Sequence, residues 1–193
     1  MLDISRQNTI KSRLNQIINN VPNKKIDVLV NNAGILKGDN IGKTDEKSFD
    51  DVIGTNLKGT YFMSQEFANY MIENEIKGNI LNISSSSGIR PAVSPYMVSK
   101  WGENGITLGL AKKLIVHGIV VNAIAPGPTA TDMLLKGEKN IKHGSSPSGR
   151  YVTPEEIANL AVFLISDMGR MIVGDTIYMT GGCANLTIDD MVY

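Results

Sequence analysis

The sequence predicts an α/β chain built on a doubly wound parallel sheet, and three observations carry that prediction. Four short runs are almost continuously apolar: IDVLVN (26–31), NILNIS (79–84), IVVNAIA (119–125) and TIYMT (176–180). Strands buried on both faces read this way. Segments with helical apolar spacing separate the runs, so the strands are joined by covering helices. The first three runs end in turn-forming residues: Asn32-Ala33-Gly34, Ser84 to Gly88, and Pro126-Gly127. In a sheet of this class ligands bind beyond the carboxyl ends of the strands, so these turns are where function is expected.

Taken in order, Ile10, Leu14, Ile17, Ile18 and Val21 recur at helical spacing and predict an amphipathic helix over 5–20. A long helix is expected from Asp45 to Glu73, with Thr44 as its N-cap. A third helix covers 95–116. Thr153-Pro154-Glu155-Glu156 has the form of a capping box with proline at the first helical position, so a fourth helix starts there. The stretch 128–150 is rich in glycine, serine and lysine. It reads as a mobile surface loop or as a substrate lid, the latter because it follows a strand and carries the apolar Met133-Leu134-Leu135.

The 193 residues fit a single domain. Formal net charge is zero, which gives no electrostatic reason to expect nucleic acid or an anionic membrane as partner. A lone cysteine, Cys183, permits no intrachain disulfide and fits a reducing compartment. The start of the chain has no apolar signal core, and no run reaches the roughly 18 apolar residues of a membrane span. The expectation is a soluble, cytoplasmic protein. His117 and His143 lack ligand-like spacing, so no metal is expected and both read as surface residues.

Tyr96 and Lys100 lie four apart at the start of a helix and share a face. A lysine ammonium beside a phenol favours the phenolate, and such a pair can pass a proton to or from a carbonyl or alcohol. Alone, the spacing is better explained by a surface pair. A hydroxyl in the Ser84-Ser85-Ser86-Ser87-Gly88 turn could hydrogen-bond a substrate oxygen on which charge develops, or the turn could simply be polar. Asn56 sits in the apolar stripe Phe49, Val52, Ile53, Leu57, Thr60, Met63 and Phe67, where its amide must find partners. It is either structural or the anchor of a water beside the site.

The order decides between these readings. NNAG after a strand, an asparagine inside the next helix, SSxxG after a strand, YxxxK opening a helix, and PGPTAT after a strand occur in a single series. TPEEIA and VGDTIYMTGG follow. Together they resemble the short-chain dehydrogenase/reductase family along the whole chain, and within it the 3-oxoacyl-carrier-protein reductase-like group. The resemblance implies a Rossmann-like fold and reversible hydride transfer between a carbonyl and an alcohol, with NAD or NADP as cofactor. It implies Tyr96 as general acid/base and as a cofactor contact, and Lys100 as the group that assists it and holds the nicotinamide ribose. Ser85, three before Gly88, matches the substrate-orienting serine, with Ser84 and Ser86 as rivals because the segment to Tyr96 is short. Asn56 matches the asparagine that anchors a relay water. Asn32, Ala33 and Gly34 match the turn against the adenosine side. Pro126, Gly127, Thr129 and Thr131 match the loop at the carboxamide end. A small-molecule carbonyl or alcohol is the implied partner, and a homodimer or homotetramer the implied assembly. Lys136, Lys139, Lys142 and Arg150 would suit an acidic carrier protein, although a solvated loop explains them better.

The chain departs from the family in one respect. No TGxxxGxG turn occurs, and Met1-Leu2-Asp3-Ile4-Ser5 resembles the end of the family's third strand, with Asp3 matching an adenine-contacting aspartate. The expectation is therefore a partial domain over 1–193, lacking the first two to three strands and the glycine-rich turn. NAD or NADP preference cannot be read from such a chain. Alone it is expected to be poorly soluble and inactive. A non-catalytic binding or assembly module, or an inactive remnant, are the competing expectations.

Overall fold

The computed structural model describes residues 2–183 apart from 39, 136, 138, 139 and 145, and of Lys24 and Met133 the backbone only. Lys136 and Lys139 of the basic loop set, and Met1, thus lie outside the described residues. Four parallel strands form one sheet in chain order: β1 (Val28–Asn31), β2 (Asn79–Ile83), β3 (Val120–Pro126) and β4 (Thr176–Met179). The register sets Val28 beside Asn79, Asn79 beside Val120 and Ala123 beside Thr176. All seven residues of β3 are buried, as a central strand covered on both faces requires.

One face of the sheet is covered by three helices. They are α1 (Gln7–Asn20), α3 (Thr60–Glu73) and α4 (Pro95–Leu114). Ile10, Leu14 and Ile18 of α1 meet Phe67 and Met71 of α3, with Ile80 and Val121 from the strands below. The other face packs Leu81 and Ile124 against Leu164 of α6 (Pro154–Ile165). Alternate strand residues therefore enter opposite cores, the period-2 consequence of the pleat. Over β1 the second face is open, and Val30 is 45% exposed.

The helix starts follow from local chemistry. Thr153 accepts from Glu156 N while the Glu156 carboxylate accepts from Thr153 N, a complete capping box with Pro154 at the first position. Ser94 caps α4 and Pro95 opens it. A left-handed glycine, Gly118 at φ 72°, turns the chain out of the last helical turn before β3.

Three expectations need correction. The N-cap of the second helical region is Asp45, whose side chain accepts from Ser48 N at 2.8 Å, and not Thr44. Asp45 wins because its carboxylate also takes the Ser48 hydroxyl at 2.9 Å. Nor is 45–73 one regular helix: α2 (Glu46–Val52) widens into a π-helical stretch, Ile53–Gly59, before α3. Phe49, placed in the buried stripe, is 42% exposed. The 128–150 stretch carries one short helix, α5 (Asp132–Leu135), and is tied back by bridges from Thr129 to Val152 and from Lys142 to Arg150.

Candidate active site

A cavity of about 1020 Å³ opens at the carboxyl ends of the strands. Asn32 and Gly34 after β1, Ser84 to Ser87 after β2, and Pro126, Gly127, Thr129 and Thr131 after β3 line it, together with Tyr96 and Lys100 of α4. The sheet thus gathers in one place the residues that the sequence spreads over a hundred positions. Ala33 is exposed in the same turn but does not line the cavity.

The turn after β1 is held from behind. Asn56, fully buried in the π-helical stretch, accepts from Ile35 N at 2.8 Å and donates to Ile35 O at 3.0 Å and to Ser99 Oγ at 3.2 Å. Both amide hydrogens go to pinning that turn to α4, while Oδ1, with one bond accepted, keeps a second lone pair. A polar chain runs beneath it: Asn31 donates to Ser64 Oγ and Asn82 Oδ1, both at 2.8 Å, and Asn82 donates to Thr107 Oγ1 at 2.9 Å. Buried amides are satisfied throughout, so the platform beneath the site is rigid.

The serines differ in what they have left to offer. Ser84 is buried and donates to Asn104 Oδ1 at 2.7 Å, so its proton is committed. Ser85 is half-buried and accepts from Ser87 N at 3.1 Å; its own hydroxyl proton has no acceptor among the described residues. Ser86 is 5% exposed. Asn104, which the sequence did not single out, knits this region together by donating to Gly88 O at 3.2 Å and to the Tyr178 hydroxyl at 3.3 Å. Burial, the dominant cause, pushes the Tyr178 phenol up, and Asn104 opposes it.

Gly88 lets the serine turn lie directly on α4. A Cβ there would stand 2.6 Å from Asn104 Nδ2 and 2.8 Å from Lys100 O, the latter a backbone atom that cannot move aside cheaply. Gly88→Ala is expected to cost about 1–3 kcal/mol of stability, as overpacking does. Urea denaturation measures this, and an unchanged midpoint would contradict the close packing.

Tyr96 is half-buried beside the cleft, and the Lys100 ammonium lies 5.6 Å from its ring centroid. Lys100 itself is 5% exposed. Its Nζ donates to Ile83 O at 2.9 Å and to the two oxygens of Glu103 at 3.0 and 2.9 Å. Burial pushes the Glu103 carboxyl up to about 7, against the opposing pull of Lys100.

A family profile described as Enoyl-(Acyl carrier protein) reductase matches residues 1–184. The 3-oxoacyl-[acyl-carrier-protein] reductase FabG of Rickettsia felis is 37% identical over 89% of this chain and 72% of its own length. The reductase of the same name from Thermotoga maritima is 37% identical over 90% of this chain and 73% of its own length. The chain belongs to the short-chain dehydrogenase/reductase family. Among solved structures, ElxO with NADP bound superposes with a TM-score of 0.86 at 30% identity, covering 96% of this chain and 77% of that one. As a member of this family the chain is of the NAD(P)-dependent oxidoreductase class, on a Rossmann-like fold.

Within that family frame, other expected residues fall differently. His143 is not a plain surface residue: it is half-buried in the cavity wall, its ring edge-on to Tyr151 at 4.5 Å. His117 is exposed, as expected. Asp3 spends its carboxylate on Ser5, accepting from its N at 3.0 Å and its Oγ at 2.7 Å. Arg90 lines the cavity and donates to the Cys183 carbonyl. No helix among the described residues is long and apolar enough to cross a membrane.

Proposed function

We propose that the cleft reduces a small carbonyl compound, or oxidises the matching alcohol, with Tyr96 as general acid/base, and that a 3-oxoacyl thioester is the substrate class. The single observation that carries the reading is the convergence of Tyr96, Lys100 and Ser85 on one cavity at the carboxyl ends of the strands. The acyl class is supported by the likeness to the two 3-oxoacyl-[acyl-carrier-protein] reductases, each 37% identical to this chain.

The residues present fit the nicotinamide half of NAD or NADP. The Asn32–Gly34 turn lies against the lysine and the buried amide: a methyl at Gly34 would stand 3.6 Å from Asn56 Oδ1 and 4.0 Å from Lys100 Nζ, at ordinary contact distance. Lys100 would hold the ribose, and Pro126, Gly127, Thr129 and Thr131 would meet the carboxamide. When bound, the cofactor supplies or accepts the hydride. The protein then handles the proton. Ser85 donates its free hydroxyl hydrogen to the substrate oxygen, and Tyr96 gives its proton to that oxygen as charge develops. The Lys100 ammonium favours the phenolate left behind. Asn56 holds the turn after β1 in place, and its second proposed duty is to anchor a relay water near Lys100.

Among the described residues no glycine-rich turn joins a strand to a helix N-terminus, the structure that cradles a pyrophosphate. These 193 residues alone therefore bind the cofactor weakly and turn over little. The 128–150 stretch acts as the substrate lid, since Thr129, Thr131, Leu134 and His143 line the cavity. Its Lys142 and Arg150 belong with a carrier-protein partner only if that partner is acidic. Copies assemble through the outer groove of α3 and α4, where Tyr61, Ile106 and Leu110 leave apolar surface. We place the protein in the cytoplasm.

The reading is tested by extending the chain at its N-terminus with the corresponding segment of the Thermotoga maritima reductase and following NADPH consumption with a panel of carbonyl compounds. Lys100→Met should lose both turnover and cofactor affinity. Unchanged kinetics in that variant would remove Lys100 from the site. In the same assay Ser85→Ala should lower turnover far more than Ser84→Ala or Ser86→Ala, and a larger loss at a neighbour would move the role there.

A further inference from the structure

Nothing in the proposed acid–base reaction uses Glu103, yet its carboxylate is the closest charge to Lys100. Residues 100 and 103 are three apart on α4 and face inward together, with side chains 6% and 3% exposed. Lysine has three N–H donors and no more. Three acceptors surround them: Ile83 O at 2.9 Å, and the two Glu103 oxygens at 3.0 and 2.9 Å. Every donor of Lys100 is thereby engaged on protein atoms. A ribose hydroxyl can be held only if one contact is surrendered. Ile83 O belongs to the end of β2, fixed by the sheet; the carboxylate is on a side chain.

We propose that Glu103 is a positioning residue, which holds the Lys100 ammonium back in the cofactor-free protein and gives up one carboxylate contact when the nicotinamide ribose binds, so that binding is coupled to proton uptake by Glu103. This rests on the reading of Lys100 as the ribose contact.

The coupling follows from burial. A buried carboxylate is tolerable only while paired. Burial already pushes Glu103 up to about 7, with Lys100 holding it down. Weakening the Lys100 contact raises it further. Among the described residues Lys100 is the charged group that acts on Glu103, and Tyr61, Glu66 and Glu73 of α3 and His117 after α4 make no ion pair with it. The Ser86–Ile89 turn and β3 carry no titratable side chain. Lys58 of the π-helical stretch is exposed, and Asp51 of α2 is held by Lys37 and Lys47. Tyr96 lies on the far side of Lys100, and Tyr178 is engaged by Asn104.

The sign is fixed. Binding that takes up a proton weakens as pH rises above the free-state value. A one-unit rise in the bound protein gives about a tenfold loss of affinity above neutral pH. The experiment titrates the N-terminally extended protein with NADPH, following nicotinamide fluorescence from about pH 6 to pH 9, in the otherwise wild-type sequence, Glu103→Gln and Lys100→Met. Wild type should lose about tenfold in affinity relative to Glu103→Gln across that range. Glu103→Asp, which keeps the charge, should restore the dependence in part. A second measurement needs no variant: NADPH added to weakly buffered wild type near neutral pH should draw protons from solution.

If wild type and Glu103→Gln share one pH profile and no proton is taken up, while Lys100→Met binds more weakly, the proposal is overturned and the ribose reading stands. If Lys100→Met binds as wild type does, or wild type shows no saturable binding, the ribose reading fails and takes this proposal with it.

Discussion

Replacing Tyr96 by phenylalanine is expected to lower turnover by roughly 100-fold or more, the scale of general acid–base catalysis. The substitution keeps the ring, and among the described residues the phenol hydroxyl makes no hydrogen bond that supports the fold. Stability should therefore barely change, which separates a chemical effect from a folding one. The rate is measured at saturating NADPH in the N-terminally extended protein, with circular dichroism as the control for folding. A well-folded Tyr96→Phe protein with near-normal turnover would refute the assignment. The variant should still bind cofactor, because Lys100 remains to hold the ribose.

The second large effect is on stability. Glu103 is buried beside Lys100, and burial raises its carboxyl from 4.5 to about 7. A carboxyl raised on folding binds its proton more tightly in the native state than in the unfolded chain. Its contribution is fully present below the unfolded value of 4.5 and is lost as pH rises through about 7. The shift corresponds to a loss of about 3 kcal/mol across that window. Glu156 runs the opposite way: the Arg150 hydrogen bond holds it down at about 2, so its effect lies at acid pH and outside this window. Urea denaturation near pH 5 and near pH 8 should show wild type losing stability with rising pH while Glu103→Gln stays flatter. Parallel profiles would show that the carboxylate is solvated, contrary to its packing.

How much of this was legible without coordinates depends on which force decides each feature. The four strands were legible because burial on both faces writes itself as continuous apolar runs, and the observed strands fall within one or two residues of them. The capping box at Thr153 was legible because its two hydrogen bonds are local. Thr44 and Asp45 are both cap-forming types, and only the geometry that gives Asp45 two contacts with Ser48 separates them. The π-helical stretch left no trace, since one extra residue in a turn barely disturbs a 3.6-residue apolar rhythm.

In the site, the turns after β1, β2 and β3 were legible because fold class dictates where ligands go. Asn56 was flagged as a buried amide, but its partners, Ile35 and Ser99, are tertiary. Glu103 was missed for a plain reason. A Lys–Glu pair three apart on a helix ordinarily marks a solvated face, and nothing local says that this face lies on the sheet. The buried face of α4 carries polar Ser99, Lys100, Glu103 and Thr107, so the apolar spacing gave no sign of it. Asn104 was hidden the same way, since its partners Ser84, Gly88 and Tyr178 come from distant parts of the chain.

The central claim is that Lys100, set beneath Tyr96, holds the ribose of a nicotinamide cofactor in the strand-end cleft. The most direct measurement is saturation-transfer NMR on the 193-residue chain with NADPH, comparing wild type with Lys100→Met. The account predicts transfer to the nicotinamide and adjoining ribose protons in wild type, and its loss in the variant, with both proteins folded. Equal transfer in the two proteins, or transfer confined to the adenine protons, would contradict it.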